Sequence, residues 1–155
     1  MAFSVELKEK IKHLLTLYPI KQAALLPTLH LVQDEYGYLS KETQELVAQE
    51  LDIPLAEVRE VVTFYVMFHE HPIGKYHFEV CQNITCSIMG AETVIEHLEK
   101  RLGIRSGETS KDGKFSIERV ECLGGCDGAP MMELNGEFKT NLTPEKIDKI
   151  IDELE

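Results

Sequence analysis

The residues best suited to chemistry in this chain are its cysteines, which form two close pairs. Cys81 and Cys86 are separated by four residues, and Cys122 and Cys126 are separated by three. The chain of 155 residues has four cysteines, and thirty-five residues lie between the two pairs. Cysteines that serve only as small hydrophobes have no reason to pair in this way. The spacing therefore indicates a common role, as disulfide partners or as thiolate ligands of a metal site.

Disulfides and zinc are two possible explanations of these pairs. Disulfide frameworks are typical of small secreted domains with little core. This chain starts with an amphipathic pattern rather than with the apolar segment of a signal peptide. Its length and its 43% of hydrophobic residues also suffice to bury a core without covalent links. Structural zinc sites use short hooks with two to four residues between cysteines, and both spacings fall in that range.

An iron–sulfur cluster is the third explanation, and the residues favour it. A [2Fe–2S] cluster takes four thiolates, and two irons suit two separate cysteine segments. The second segment also carries Gly124, Gly125 and Gly128. Glycine lets the backbone come close to a ligand, and successive backbone N–H groups can surround an anionic group. We therefore expect these glycines to donate hydrogen bonds around the cluster, while zinc and disulfides stay open as alternatives.

Other polar or soft side chains near these segments have simpler interpretations. We interpret Met131 and Met132 as packing residues, because the cysteines already complete a ligand set. Asp127 is suited to a turn. His69 and His71 could bind a metal, but a solvated helix end explains them better, since no other histidine is close in sequence.

The charge of the chain excludes some partners. Sixteen Lys and Arg face twenty-seven Asp and Glu, for a net charge of −11. No basic stripe is present, so we expect no binding to nucleic acid. The longest apolar run, residues 61–68, is too short to span a bilayer. We therefore expect no direct membrane insertion, and any membrane association must come through a partner.

The elements that position the cysteines follow from the periodicity of the sequence. Residues 1–72 predict a helical bundle domain. Ser4 and Ser40 are suited to begin helices, and Gly37 is suited to end one. The predicted helices cover residues 5–18, 22–36, 41–51 and 55–68. The last of them follows Pro54 and is apolar nearly all round, which predicts a buried helix.

Residues 73–155 predict a second domain of the α/β or α+β class. Strands are expected at residues 76–81 and 115–121, and each leads into a pair of cysteines. Asn135-Gly136 predicts a hairpin of residues 131–139. Helices are expected over residues 87–102 and from Thr143-Pro144 onward. The first of these would start directly after Cys86 and would direct its positive end towards the metal site, while Glu121 and Asp127 would oppose that effect.

The residues now resemble a known family. The chain resembles the 24 kDa-type subunits of NADH:quinone oxidoreductase (respiratory complex I), called E subunits in bacteria, which are thioredoxin-like [2Fe–2S] ferredoxins. The motifs run in order through nearly the whole chain. They are Pro27 with Leu29-His30, Gly37-Tyr38-Leu39-Ser40, Thr63-Phe64-Tyr65, Pro72-Ile73-Gly74-Lys75-Tyr76, Gly103-Ile104 with Gly107-Glu108-Thr109, both pairs of cysteines, Leu123-Gly124-Gly125 and Ala129-Pro130.

The resemblance implies a fold, a cofactor and a partner. It implies an N-terminal helical bundle followed by a thioredoxin-like domain that holds one [2Fe–2S] cluster on Cys81, Cys86, Cys122 and Cys126. It also implies docking on the flavoprotein subunit that binds FMN and NADH, among other subunits of the peripheral arm. The chain would carry one electron to or from that FMN, without a catalytic residue of its own. We expect a cytoplasmic location at the inner face of the cell membrane.

Three other functions are compatible with parts of this pattern. The equivalent subunit of an NAD-linked hydrogenase or formate dehydrogenase would share the motifs, and only the partner subunits distinguish it. A zinc-stabilised adaptor would contain zinc and no acid-labile sulfide. A thiol–disulfide oxidoreductase is disfavoured, because the chain has no Cys-x-x-Cys motif. No Gly-x-Gly-x-x-Gly fingerprint follows a strand, so hydride chemistry is expected on another subunit.

Overall fold

The computed structural model describes residues 2–154 and divides into two units. The first, called here the helical unit, ends at Pro72, and the second, called the sheet unit, begins at Ile73. The helical unit contains α1 (Val5–Leu17), a 3₁₀ turn (Lys21–Ala24), α2 (Leu25–Tyr36), α3 (Lys41–Leu51) and α4 (Leu55–Phe64). The sheet unit contains β1 (Tyr76–Cys81), α5 (Ile84–Ile88), α6 (Ala91–Leu102), β2 (Phe115–Val120), a 3₁₀ turn (Cys126–Gly128), β3 (Met132–Leu134), β4 (Glu137–Lys139) and α7 (Pro144–Leu154).

Short-range hydrogen bonds set the ends of the first helices, as the sequence predicts. The Ser4 hydroxyl accepts a hydrogen bond from the Leu7 N–H (3.1 Å), and the Ser40 hydroxyl accepts one from the Thr43 N–H (3.2 Å). Each bond satisfies an N–H group that has no partner within its own helix. Gly37 ends α2 in the left-handed conformation, with φ of 79°. Apolar residues of α1 to α4 then pack into one continuous core, which includes Leu7, Leu29, Val47, Leu51 and Val58.

Two predictions for the helical unit are wrong in detail. The segment before α2 forms a 3₁₀ turn, so α2 starts at Leu25 rather than at residue 22. Helix α4 ends at Phe64 rather than at residue 68, and it is not buried all round. Phe64 is 76% exposed and Val66 is 64% exposed, while Val58 and Val62 form the buried side.

The early end of α4 has a long-range cause. The Gln33 side chain donates a hydrogen bond to the Met67 carbonyl (2.8 Å) and accepts one from the His69 N–H (2.8 Å). These bonds hold the chain after α4 in a non-helical path and bring Phe68 into the core, where its ring packs on His30 at 4.9 Å between centroids. An apolar run therefore did not indicate a continuous buried helix.

Strands β1 to β4 form one mixed sheet in the order β2-β1-β3-β4. Strand β1 pairs in parallel with β2, so that Cys81 lies opposite Val120. It pairs antiparallel with β3, and β3 continues into β4 through the predicted hairpin. Asn135 and Gly136 both have positive φ, at 49° and 85°, which is the conformation that this two-residue turn requires.

Helices α6 and α7 cover one face of the sheet. The main core of this unit contains Phe78 and Val80 from β1, Ile117 from β2 and Leu98 from α6, together with Ile147 from α7. Polar contacts join the two helices at the surface: His97 Nε2 lies 2.9 Å from Asp148, and Arg101 donates to Asp152 at 2.7 Å. The main core therefore holds β1 and β2 in place, and with them the points at which the cysteine segments leave the sheet.

The helix predicted over residues 87–102 is two helices. Helix α5 begins before Cys86, at Ile84, where the Asn83 side chain accepts a hydrogen bond from the Ile84 N–H (2.9 Å). Gly90 follows α5 with φ of 99° and precedes α6. Cys86 thus lies within a five-residue helix, and the prediction that a helix starts after Cys86 with its positive end towards the site is wrong.

Candidate metal centre

The two cysteine segments leave the sheet at neighbouring positions. Cys81 is the last residue of β1, and Cys122 comes two residues after β2 ends at Val120. Because β1 and β2 are parallel and in register at Cys81 and Val120, their carboxyl ends meet at one edge. The Gln82 N–H donates to the Val120 carbonyl at 2.9 Å and continues this pairing past the strand. Ligand sites in such sheets form where strands end in this way.

The two cysteines of the first segment lie together in one small buried cluster. Burial raises the pKa of the Cys86 thiol; a hydrogen bond with Cys81 adds to that rise, and the charge of Cys126 contributes to it. The Cys81 thiol donates to the Glu121 carbonyl at 3.4 Å, next to Cys122 in the chain. All four cysteines are free thiols. The structure therefore brings Cys81 and Cys86 together, while Cys122 and Cys126 both lie at exposed positions of the second segment.

The two segments differ in burial. Cys81 and Cys86 are 2% and 1% exposed, whereas Cys122 and Cys126 are both exposed. The buried thiols belong to a small apolar core, separate from the main core, formed by Cys81, Cys86, Ala91, Ala129 and Met131 with Leu123 packed against it. Any metal group at this place would meet a dry inner side and an open outer side. An open outer side suits exchange of electrons with another protein.

The residues present fit a [2Fe–2S] cluster. Soft thiolate ligands suit iron–sulfur clusters and zinc alike, and the two segments that carry them leave the sheet at the same edge. A backbone group of Met131 also lowers the pKa of Cys86 against the effect of burial. Only an N–H donor stabilises a thiolate in this way. Such N–H···S bonds are among the contacts that tune iron–sulfur clusters.

Glycine is favoured at the three positions of the second segment for different structural reasons. Gly124 has φ of 78°, which an L-residue rarely adopts. A Cβ on Gly125 would lie 2.7 Å from Met131 Sδ, and one on Gly128 would lie 2.6 Å from Thr140 Cβ. The Gly128 N–H donates to the Gly125 carbonyl at 3.0 Å. The role of the three glycines around the cluster stays a prediction.

The structure also gives the positions of the other candidates from the sequence. His69 is not at a helix end, because α4 stops at Phe64. The His69 carbonyl accepts a hydrogen bond from the Leu39 N–H (2.7 Å), and burial lowers the pKa of the His69 side chain. His71 is exposed. Asp127 lies inside the exposed 3₁₀ turn, and Met132 packs in the main core. None of the helices in residues 2–154 is long and apolar enough to cross a bilayer.

A row of carboxylates was missed in the sequence. Glu79 on β1 lies opposite Glu118 on β2 and Glu133 on β3. Burial raises the pKa of Glu79 to about 7, and the charges of Glu133 and Glu118 add to this effect. The alternation of each strand places these residues on the face opposite the main core. That alternation was a usable signal, but only the register of the strands shows that the three side chains meet.

Comparisons with known proteins agree with this geometry. A family model described as thioredoxin-like [2Fe-2S] ferredoxin matches residues 11–155. The chain is 39% identical over 146 residues to the NADH-quinone oxidoreductase E subunit numbered 2 of Rhizobium meliloti (strain 1021), and the match covers 94% of this chain and 87% of that protein. It is 38% identical over 143 residues to the NADH-quinone oxidoreductase E subunit of Mycobacterium bovis (strain ATCC BAA-935 / AF2122/97), and the match covers 92% of this chain but 57% of that protein. The chain therefore spans little more than half the length of the mycobacterial relative.

A solved structure shares the fold. An NAD+-reducing [NiFe]-hydrogenase in the air-oxidized state matches with a TM-score of 0.72 at 22% sequence identity. The match covers 84% of this chain and 22% of the hydrogenase chain. At this level of identity the likeness concerns the fold.

Proposed function

The chain belongs to the thioredoxin-like [2Fe–2S] ferredoxin family and, within it, to the E subunits of NADH-quinone oxidoreductase, and on this premise we propose that it is the electron-carrying subunit of the NADH dehydrogenase module of such an oxidoreductase. There it exchanges one electron with the FMN of a partner flavoprotein subunit. The predicted fold class and the predicted [2Fe–2S] cofactor are confirmed. The observation that carries the proposal is that both cysteine segments leave the sheet at the same edge, where β1 and β2 end in register.

The residues of this chain hold and shield the cofactor. When bound, the [2Fe–2S] cluster supplies storage for a single electron. We propose Cys81, Cys86, Cys122 and Cys126 as its ligands. Cys81 and Cys86 lie in the small apolar core and exclude water from the inner side. Cys122 and Cys126 are exposed and face the side from which a partner can approach.

The partners and the location follow from the same premise. The FMN and the NADH site are assigned to the flavoprotein subunit, so the hydride step takes place outside this chain. Other peripheral-arm subunits complete the complex, and the chain lies in the cytoplasm at the inner face of the membrane through that complex. We also propose residues 1–72 and 73–155 as separate domains. The division of the structure between Pro72 and Ile73 supports this boundary.

Metal analysis and spectroscopy test the cofactor and its ligands. Protein isolated without oxygen should contain about two irons and about two acid-labile sulfides per chain, with an electron paramagnetic resonance signal after reduction. Zinc without sulfide would overturn the proposal in favour of a zinc-stabilised adaptor. Single Cys→Ser changes at each of the four positions should each lower the iron content.

A second experiment tests the partner. The chain should form a stable complex with the flavoprotein subunit, and NADH should reduce the [2Fe–2S] cluster in that complex but not in the chain alone. Isolation with a nickel-containing subunit instead would identify the NAD-linked hydrogenase alternative. The hydrogenase alternative is supported by similarity of fold, whereas the relatives from NADH-quinone oxidoreductase match this chain in sequence over most of its length.

A further inference from the structure

Met131 touches both cysteine segments, although it belongs to neither. Its carbonyl accepts a hydrogen bond from the Cys81 N–H at 3.2 Å. Met131 thus binds the first segment through a main-chain group, and this bond does not depend on the identity of the side chain.

The Met131 side chain reaches the second segment. Met131 is fully buried and lies in the small apolar core with Cys81 and Cys86. Its sulfur and terminal methyl group lie 2.7 and 2.9 Å from the position that a Cβ on Gly125 would occupy. Real Cβ atoms are not found at such distances, so a side chain at position 125 would have to displace the flexible end of Met131. The side chain therefore fills the space directly behind the backbone between Cys122 and Cys126.

We propose that Met131 is a positioning residue, which sets the spacing between the two cysteine segments and closes the inner side of the [2Fe–2S] site to water. This inference rests on the proposed function and deepens it. The physical reason is that a cluster needs its ligands at fixed separations, while hydrogen bonds and solvent access around the sulfurs set its reduction potential. Met131 controls both, through its main chain on one segment and its side chain on the other.

Met132 offers a matched control. It is the next residue, has the same side chain and is equally buried, but it packs in the main core rather than in the small apolar core. Truncating either methionine should therefore cost comparable stability, and only truncation of Met131 should change the site.

The first experiment compares Met131→Ala with Met132→Ala in the loaded protein. Met131→Ala should raise the reduction potential, because water near the sulfurs stabilises the more negative reduced state. It should also change the paramagnetic resonance spectrum and speed cluster loss about tenfold. Met132→Ala should leave all three properties as in the original protein. Met131→Leu, which nearly preserves volume, should behave like the original protein and guards against a failure of the alanine variant to fold.

The second experiment tests the steric contact between Met131 and Gly125. Gly125→Ala alone should disturb the spectrum, because its methyl group would displace the Met131 side chain. In the Met131→Ala background the same methyl group enters vacated space, so the disturbance should shrink in a double-mutant cycle. Additive changes would overturn the proposal, and so would equal effects of Met131→Ala and Met132→Ala on the reduction potential.

A measurement on metal-free protein separates this inference from the proposed function. Alkylation of the buried Cys86 thiol by iodoacetamide should be several-fold faster in Met131→Ala than in Met132→Ala, whether or not a cluster forms. Equal rates would overturn the role of Met131 in closing the site. An original protein that binds no iron would instead overturn the proposed function, while the thiol rates would still decide the role of Met131.

Discussion

The helical unit and the sheet unit bury their apolar residues in different ways. Helices α1 to α4 share one continuous core, and the polar side chains described there cap helices or hold loops. In the sheet unit the main core lies between the sheet and helices α6 and α7, and a small apolar core around the cysteines stands apart from it. The sheet unit thus separates the residues that stabilise the fold from those that form the site.

This difference explains how the cysteines can remain partly exposed. The main core holds β1 and β2 in register, so their ends are fixed whether or not the cysteine segments are well packed. Cys122 and Cys126 can then face outward without loosening the sheet. Four predictions test this contrast between the two units.

The largest effect is expected from Cys86→Ser. Loss of one thiolate ligand on the dry side should remove most of the iron and the paramagnetic resonance signal, because serine is a poor ligand for such a cluster. Hydrogen exchange should become faster in residues 81–90 and stay unchanged in α1 to α4. Ile88→Ser, an exposed change in the same short helix, is the control and should keep the iron. Faster exchange throughout α1 to α4 would contradict the contrast.

Two glycines test the backbone packing of each unit. A Cβ on Gly74 of the sheet unit would lie 2.7 Å from the Ser116 backbone nitrogen, and the Gly74 N–H donates to the Ser116 hydroxyl at 2.9 Å. Gly74→Ala should therefore lower the free energy of unfolding by about 3 kcal/mol, since a strand must shift. Gly37 of the helical unit has open space around it, and Gly37→Ala should cost about 1 kcal/mol from its positive φ. Urea denaturation measures both, and equal losses would be inconsistent with this account.

The carboxylate row predicts a pH dependence located in the sheet unit. The pKa of Glu79 is raised from 4.5 to about 7, chiefly by burial and then by Glu133 and Glu118. The native state therefore keeps a proton that the unfolded chain releases, so stability is full below about pH 4.5 and falls as the pH rises towards 7. Glu79→Gln should remove this fall in stability, which amounts to about 1 kcal/mol once solvent screening of the half-exposed group is allowed for. Thermal unfolding from pH 4 to pH 8 measures how stability changes with pH. If the variant showed the same dependence as the original protein, the assignment to Glu79 would be refuted.

The smallest effect is expected from the ion pairs between α6 and α7. A hydrogen bond from His97, assisted by Arg101, lowers the pKa of Asp148. Its contribution is present above the ordinary pKa of an aspartate, near 3.8, and is lost as the pH falls below it. Asp148→Asn should slightly lower the unfolding midpoint at pH 7 and have a smaller effect at pH 3. Asp52→Asn, which breaks the exposed contact with Lys21 in the helical unit, is the matched control. A larger fall of the unfolding midpoint in Asp52→Asn than in Asp148→Asn would contradict this prediction.

Local signals in the sequence were sufficient for much of the fold. Ser4 and Ser40 begin helices because their partners lie three residues away, and Asn135-Gly136 forms its turn because both residues tolerate positive φ. The alternation of β2 and the spacing of the cysteines were equally readable. One prediction that failed depends on a distant contact. The end of α4 depends on Gln33, which lies 34 residues before its partner Met67.

The sequence by itself determined most of the elements, their order and the pairing of the cysteines in two segments, because hydrogen bonds within a turn and the spacing of side chains are local properties of the chain. The tertiary structure alone decided which thiols are buried, that Met131 contacts both cysteine segments, and that three carboxylates share a row. These features depend on strand register and on contacts between segments far apart in the chain, and no local pattern of residues carries that information.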